Sequence, residues 1–207
     1  MATIFISHSK KDTDLVLTVK KILENMGHTP IIEEFVPIEE QASIPYEEIR
    51  KNVEKSSFLF LFLTDNVVAT PFTQNWVSYE VGLASASSKK LFVFERLGTP
   101  VPFPIPYLTD YALFNPDKTE DILALQRLTK DLGKIRRDLL TAGGGAAIGS
   151  IFGPAGMAIG AVLGYLVGPK PPKPPTAKCN YCNVVFNYYS THKVFSCPSC
   201  RKNIDLR

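Results

Sequence analysis

The chain has 207 residues, of which 45% are hydrophobic and 21% charged, with a formal net charge of +3. That composition excludes a wholly disordered chain, and the charge is too mild to argue for nucleic acid as a partner. All four cysteines fall after residue 178, so no disulfide can staple the main domain; with no basic leader or cleavage site before Ile4-Phe5-Ile6, we expect that domain in the cytoplasm.

Thr3–Ile6 reads as a strand. Asp12 to Gly27 follows as a helix, with Leu15, Val19, Ile22, Leu23 and Met26 at helical spacing, Asp12 as N-cap and Gly27 as stop. Thr29–Glu33 is a second strand, and a polar loop runs on through Pro45. Tyr46–Lys55 is a short helix. Ser57–Thr64, built on Phe58-Leu59-Phe60-Leu61-Phe62-Leu63, is a continuous apolar run, as expected of a central strand covered on both faces. Thr73–Ala86 is a helix, Leu91–Phe94 a strand and Tyr111–Phe114 another; between them four prolines in Pro100–Pro106 forbid a regular helix. Asp117 to about Leu140 is a long amphipathic helix, with Ile122, Leu125, Leu128, Leu132, Ile135 and Leu139 on one stripe.

Strand–helix alternation with short links predicts an α/β fold with a parallel sheet, whose ligands bind beyond the carboxyl ends of the strands. The chain divides into a main domain at 1–140, a glycine-rich segment at 141–168, a Pro/Lys linker at 169–178 and a cysteine tail at 179–207.

Three segments of the main domain carry candidate chemistry. Phe5-Ile6-Ser7-His8-Ser9-Lys10-Lys11-Asp12 joins a strand end to a helix start, where backbone N–H groups can receive an anion, although Ser7 and Ser9 also suit plain turn and cap chemistry. Trp76-Val77-Ser78-Tyr79-Glu80 puts Trp76 and Glu80 on one helix face, with Glu80 in an apolar setting; the alternative is an exposed glutamate beside a half-buried tryptophan. The loop Phe35–Pro45 carries Glu39 and Glu40 and is otherwise an ordinary solvated loop.

Together these segments resemble bacterial and archaeal TIR domains. Ile4–Asp12 resembles their opening strand and loop, Phe58–Thr64 their central strand, and Trp76–Glu80, continuing Val81-Gly82-Leu83-Ala84, the Trp-x-x-x-Glu helix of the NAD⁺-cleaving members. The resemblance covers residues 1 to about 140 and implies a five-stranded flavodoxin-like parallel sheet with NAD⁺ nucleosidase activity. It gives Glu80 as the catalytic glutamate and Trp76 as the aromatic that lines the site. Ser7, His8 and Ser9 fall in the loop bordering the nucleotide pocket, Phe35 is a candidate stacking residue, and Phe35–Pro45 is the gating or head-to-tail contact loop. The products would be nicotinamide and ADP-ribose or a cyclic isomer, the setting antiphage immunity, and the control self-association. A non-catalytic TIR scaffold and a membrane-disrupting protein are the alternatives.

From Thr141 to Gly168 no residue is charged and nine are glycine. Gly145, Gly149 and Gly153, then Gly156, Gly160, Gly164 and Gly168, form two small-x-x-x-small registers offset at Pro154, a bare face for close helix packing. We expect a membrane-associated or self-assembling helix or hairpin. In the tail, Cys179-x-x-Cys182 and Cys197-x-x-Cys200, 14 residues apart, supply four thiolates for a structural Zn²⁺ in a zinc ribbon. His192 is a spare donor, and Val184–Tyr189 with Lys193–Ser196 are its expected hairpin strands. Lys193, Arg201, Lys202 and Arg207 with Tyr188 and Tyr189 make a small basic-aromatic group for which a protein contact is as open as nucleic acid.

Overall fold

The computed structural model describes residues 1–32, 46–141 and 175–207; Phe35, the rest of the expected gating loop, and the glycine-rich segment from 142 onward lie outside them. In chain order the elements are β1 (Thr3–Ser7), a 3-10 turn (Lys10–Asp12), α1 (Thr13–Asn25), β2 (Thr29–Ile32), α2 (Tyr46–Lys55), β3 (Phe58–Leu63), α3 (Asp65–Val68), α4 (Pro71–Ala86), β4 (Lys90–Glu95), β5 (Asp110–Leu113) and α5 (Thr119–Thr141). Four short strands follow: β6 (Thr176–Lys178), β7 (Val185–Tyr188), β8 (Val194–Ser196) and β9 (Asn203–Asp205).

The sheet sorts its side chains by the period of two that a strand imposes. All six residues of β3 are buried, its phenylalanines on one face and its leucines on the other. Phe58, Phe60, Phe62, Phe92, Phe94 and Phe114 form an aromatic layer with Ile4 and Ile6, covered by Val19, Ile22 and Leu23 of α1 and by Leu125 and Leu132 of α5. Phe5, Leu59, Leu61, Leu63, Leu91 and Val93 face the other way, under Ile49 and Val53 of α2 and Trp76, Val77, Val81 and Ala84 of α4. Each fully buried Phe or Leu contributes roughly 1.5–3 kcal/mol, so these two layers dominate the stability of the domain.

Strand order is β2-β1-β3-β4-β5-β7-β6, parallel throughout except that β6 runs antiparallel to β7. The first five strands give the expected flavodoxin-like order. The sheet has seven strands rather than five because the tail adds two. Here the strand pairing also departs from expectation: β7 and β8 do not pair with each other. Each Cys-x-x-Cys instead turns its own hairpin, β6 with β7 and β8 with β9. Three-residue strands are too short to show a period, and so the sequence concealed this.

Gly27 ends α1 as expected. It sits at φ +77°, a backbone conformation open to glycine, and its N–H bonds the Glu24 carbonyl at 2.9 Å. The next residue, His28, is buried, and its Nε2 donates to the carbonyl of Thr129 on α5 at 2.8 Å; Nδ1 has no partner among the described residues. Burial lowers the His28 pKa below its usual 6.5. The unfolded chain therefore takes up a proton at a pH where the folded chain does not, so stability falls as pH drops below about 6.5 and levels off below the folded pKa. Thermal melts between pH 8 and 5 should show a steeper acid loss for wild type than for His28→Gln. Parallel profiles would remove His28 from the acid response.

Candidate functional site

Ser7 closes β1. By the strand period it shares the face of Phe5, which α4 covers. α4 begins at a built N-terminus: the Thr70 hydroxyl accepts the Thr73 N–H at 3.2 Å and Pro71 occupies the first turn. From that start, helical spacing turns Trp76, Val77, Glu80, Val81 and Ala84 toward the sheet. Glu80 is 2% exposed and Trp76 is 7% exposed, so the exposed-glutamate alternative does not describe this helix. The Ser7 hydroxyl, itself buried, donates to Glu80 Oε2. An ionised carboxylate in such a place needs donors aimed at it, and Ser7 is one.

Trp76 sits in an aromatic group. Tyr46, the exposed first residue of α2, lies with its ring 5.0 Å from Trp76 and 5.5 Å from Tyr79, and the Phe72 ring is 6.0 Å from Trp76. Sequence reading did not single out Tyr46 or Phe72. Tyr46 reaches Trp76 from α2, a proximity with no signature in the chain, whereas Phe72 stands four residues before Trp76 on α4 itself, just ahead of the expected start of that helix at Thr73.

The other residues of the first loop are differently employed. His8 is half-buried, with Nδ1 3.3 Å from the carbonyl of Ile6. Ser9 is buried and caps the 3-10 turn, its Oγ accepting the Lys11 N–H at 3.4 Å. Asp12 precedes α1 as expected but makes no side-chain cap; its Oδ2 accepts from the Thr64 hydroxyl and its Oδ1 from the Asn66 amide, both at 2.6 Å. Asp12 thus ties the loop after β1 to the loop after β3, at the carboxyl edge of the sheet. Asp12→Ala loses both bonds and should cost about 2 kcal/mol, lowering Tm by roughly 4–8 °C, with Asp12→Asn intermediate. A melt unchanged in Asp12→Ala would mean that other contacts hold the two loops.

Farther along the same edge, Glu95 ends β4 and points to the α4 side. It is 2% exposed, and its carboxylate accepts from the Val101 N–H (2.6 Å), the Tyr111 hydroxyl (2.8 Å) and Arg201 Nη1 (2.8 and 2.9 Å). Burial, then the neighbouring Glu95 carboxylate, push the Tyr111 hydroxyl well above its usual pKa. A cavity of about 170 Å³ lies beside this group, lined by Leu97, Tyr111, Leu113, Phe195 and Asn203 among others. Nothing in the sequence marked Glu95. Arg201 was placed in a basic-aromatic group, but its guanidinium turns inward and Tyr188 is buried, so the two do not form a surface patch.

The two cysteine turns are near copies. Asn183 N–H bonds the Cys179 carbonyl at 2.9 Å and Cys179 N–H the Val184 carbonyl at 3.0 Å. In the second turn Arg201 N–H bonds the Cys197 carbonyl at 2.9 Å and Cys197 N–H the Lys202 carbonyl at 2.8 Å. Asn183 and Arg201 both adopt the left-handed conformation, at φ 59° and 62°. The four sulfurs all lie within 4.8 Å of one another, with Cys179–Cys200 at 3.6 Å and Cys182–Cys197 at 3.8 Å. A tetrahedron of Zn–S bonds of ~2.3 Å has S···S edges of ~3.8 Å, so the set fits such an ion, and the spacing is far too long for disulfides. Although burial raises the Cys179 pKa, the N–H groups of Cys182 and Tyr181 overcome it and bring the thiol down to about 7, whereas burial pushes Cys197 up to about 12. Four thiolates cannot share this volume without a cation. His192 stays outside the cluster, exposed.

Among the described residues no helix is long and apolar enough to cross a membrane. The sequence profile of the TIR domain matches residues 4–129, more than half of the chain. No curated protein matches. Among solved structures, the crystal structure of a prokaryotic SEFIR domain is similar at 14% identity and a TM-score of 0.41, over 64% of this chain and 92% of that one.

Proposed function

The chain belongs to the TIR domain family, and from that premise we propose that it is an NAD⁺ nucleosidase with Glu80 as its catalytic residue. One observation carries the reading: a glutamate 2% exposed, bonded by Ser7 at the carboxyl end of β1 and flanked by Trp76 on its own helix. Cleavage of the nicotinamide–ribose bond builds positive charge at the ribose, as other glycosyl cleavages do. Nicotinamide leaves as a neutral pyridine, so no general acid is required. A single carboxylate held beside the ribose stabilises the cation or fixes a ribose hydroxyl. Ser7 orients that carboxylate, and Trp76 supports an aromatic wall. Water then gives ADP-ribose; an internal nucleophile gives a cyclic isomer.

The reading extends to control. Self-association through the TIR domain and the glycine-rich segment is the proposed trigger, antiphage immunity the proposed setting, and fractionation of the full chain the check on membrane contact. Cys179, Cys182, Cys197 and Cys200 are the proposed ligands of a structural Zn²⁺, which cross-links the two turns and takes no part in cleavage.

A second reading, a scaffold without activity, is favoured by the burial of Glu80 itself, because substrate must reach it. Nicotinamide release by concentrated full-length protein, present in wild type and absent in Glu80→Ala, separates the two.

A further inference from the structure

Three aromatic rings meet where the start of α2 lies against α4. Trp76 and Tyr79 stand on α4 with their centroids 5.8 Å apart and their planes at 80°. The Tyr46 ring lies against both, tilted 33° to Trp76 at 5.0 Å and edge-on to Tyr79 at 5.5 Å.

The three are not held alike. Trp76 is 7% exposed and belongs to the core layer beneath α4, and Tyr79, half-buried, packs against the same layer. Tyr46 is 46% exposed, comes from the other helix and is that helix's first residue. Its hydroxyl has no hydrogen-bond partner among the described residues, so no such bond has to break for the ring to turn aside. Glu80 follows Trp76 by one helical turn on the same face and is 2% exposed. A substrate that brings its reacting bond to this carboxylate must first open the aromatic group, and Tyr46 is the ring that can leave while α4 stays in place.

Charge decides what takes its place. The face of an indole attracts a cation in addition to the stacking it offers any flat ring. The nicotinamide of NAD⁺ is a planar pyridinium cation, about the size of a phenol, and it becomes a neutral pyridine when its bond to ribose breaks. The indole face therefore favours the ring of the substrate over the ring of the released product.

We propose that Tyr46 selects the substrate: its ring covers the face of Trp76 in the free chain and is exchanged there for the pyridinium ring of NAD⁺. The inference rests on reading Glu80 as the residue that acts on NAD⁺. Tyr46 takes no part in breaking the bond; the exchange gives substrate a way to a carboxylate that is closed in the free chain.

Trp76 is the single tryptophan of the chain, so its emission reports on this face directly. Full-length wild type, Tyr46→Ala and Tyr46→Phe are titrated with N-methylnicotinamide, a pyridinium cation, and with neutral nicotinamide, and NAD⁺ turnover is measured on the same proteins at high concentration. Both probes are also titrated into Glu80→Gln, where no carboxylate charge favours the cation. Tyr46→Ala should red-shift the emission and Tyr46→Phe should restore it. The cation should quench at a concentration at least about threefold below that of nicotinamide, in Glu80→Gln as well. Tyr46→Ala should lower the KM for NAD⁺ about two- to tenfold with kcat little changed. Alanine suits an exposed helical position, and if this variant still fails to fold, the titrations of wild type and Glu80→Gln decide. An unshifted emission in Tyr46→Ala, a KM that stays or rises, or equal quenching by the two probes in Glu80→Gln each overturns this inference and leaves the nucleosidase reading standing. No turnover in wild type or Tyr46→Ala, with the emission shifted and the cation preferred, overturns the nucleosidase reading and upholds the exchange of rings.

Discussion

Glu80→Ala is expected to lower nicotinamide release by at least about 10²–10³-fold, the usual loss when a group that stabilises transition-state charge is removed. The size of the effect follows from the setting of Glu80. Its carboxylate is 2% exposed, so the charge acts in a poorly screened environment, and Ser7 fixes its orientation before substrate arrives. Glu80→Gln separates charge from shape. The amide oxygen can still accept from Ser7, so the helix should pack as before while the negative charge is gone, and activity should fall nearly as far as in Glu80→Ala. Ser7→Ala leaves the charge but removes a charge-assisted bond; a loss of about tenfold, mostly in kcat, is expected. Melts of all three variants show whether the fold survives. Product chromatography on concentrated protein, and on protein assembled by a fused oligomeriser, gives the rates. Wild-type activity in Glu80→Gln would mean that the buried carboxylate serves packing. No turnover in wild type under either condition would favour the scaffold.

The sheet was legible because its signals are local. The six-residue Phe/Leu alternation of β3 needs no partner to be recognised, and Tyr46–Lys55 was bounded to the residue. The Trp76–Glu80 spacing was equally local, but spacing does not say which way a helix face turns. Only packing against β1 buries Glu80 and brings Ser7, 73 residues away in sequence, to its carboxylate. Asp12 shows the opposite failure. Its position before a helix predicts a cap, yet Thr64 and Asn66 compete for its oxygens and win. Glu95 was invisible because its partner Arg201 lies 106 residues on, in a segment whose cysteines suggested a self-contained unit.

That distant pair carries the second large effect. Glu95→Ala should destabilise the folded chain by about 3–5 kcal/mol, lowering Tm by roughly 10 °C, since it leaves the Arg201 guanidinium, 17% exposed, without its counter-charge. The Tyr111 hydroxyl and the Val101 N–H lose the same acceptor. Arg201→Met should cost a similar amount by leaving the carboxylate buried and unpaired. The double variant Glu95→Leu with Arg201→Met removes both charges and replaces them with apolar side chains, so it should be more stable than either single variant. A double-mutant cycle on thermal or urea unfolding, closed by the single variants Glu95→Leu and Arg201→Met, measures this directly. Recovery in the double variant would identify the coupling of sheet and tail as electrostatic, with the desolvated charge as the penalty in each single variant. Strictly additive losses would instead mean that Glu95 acts through Val101 and Tyr111 and Arg201 through the Phe103 carbonyl, to which its Nη2 donates, two independent contacts that happen to share a carboxylate.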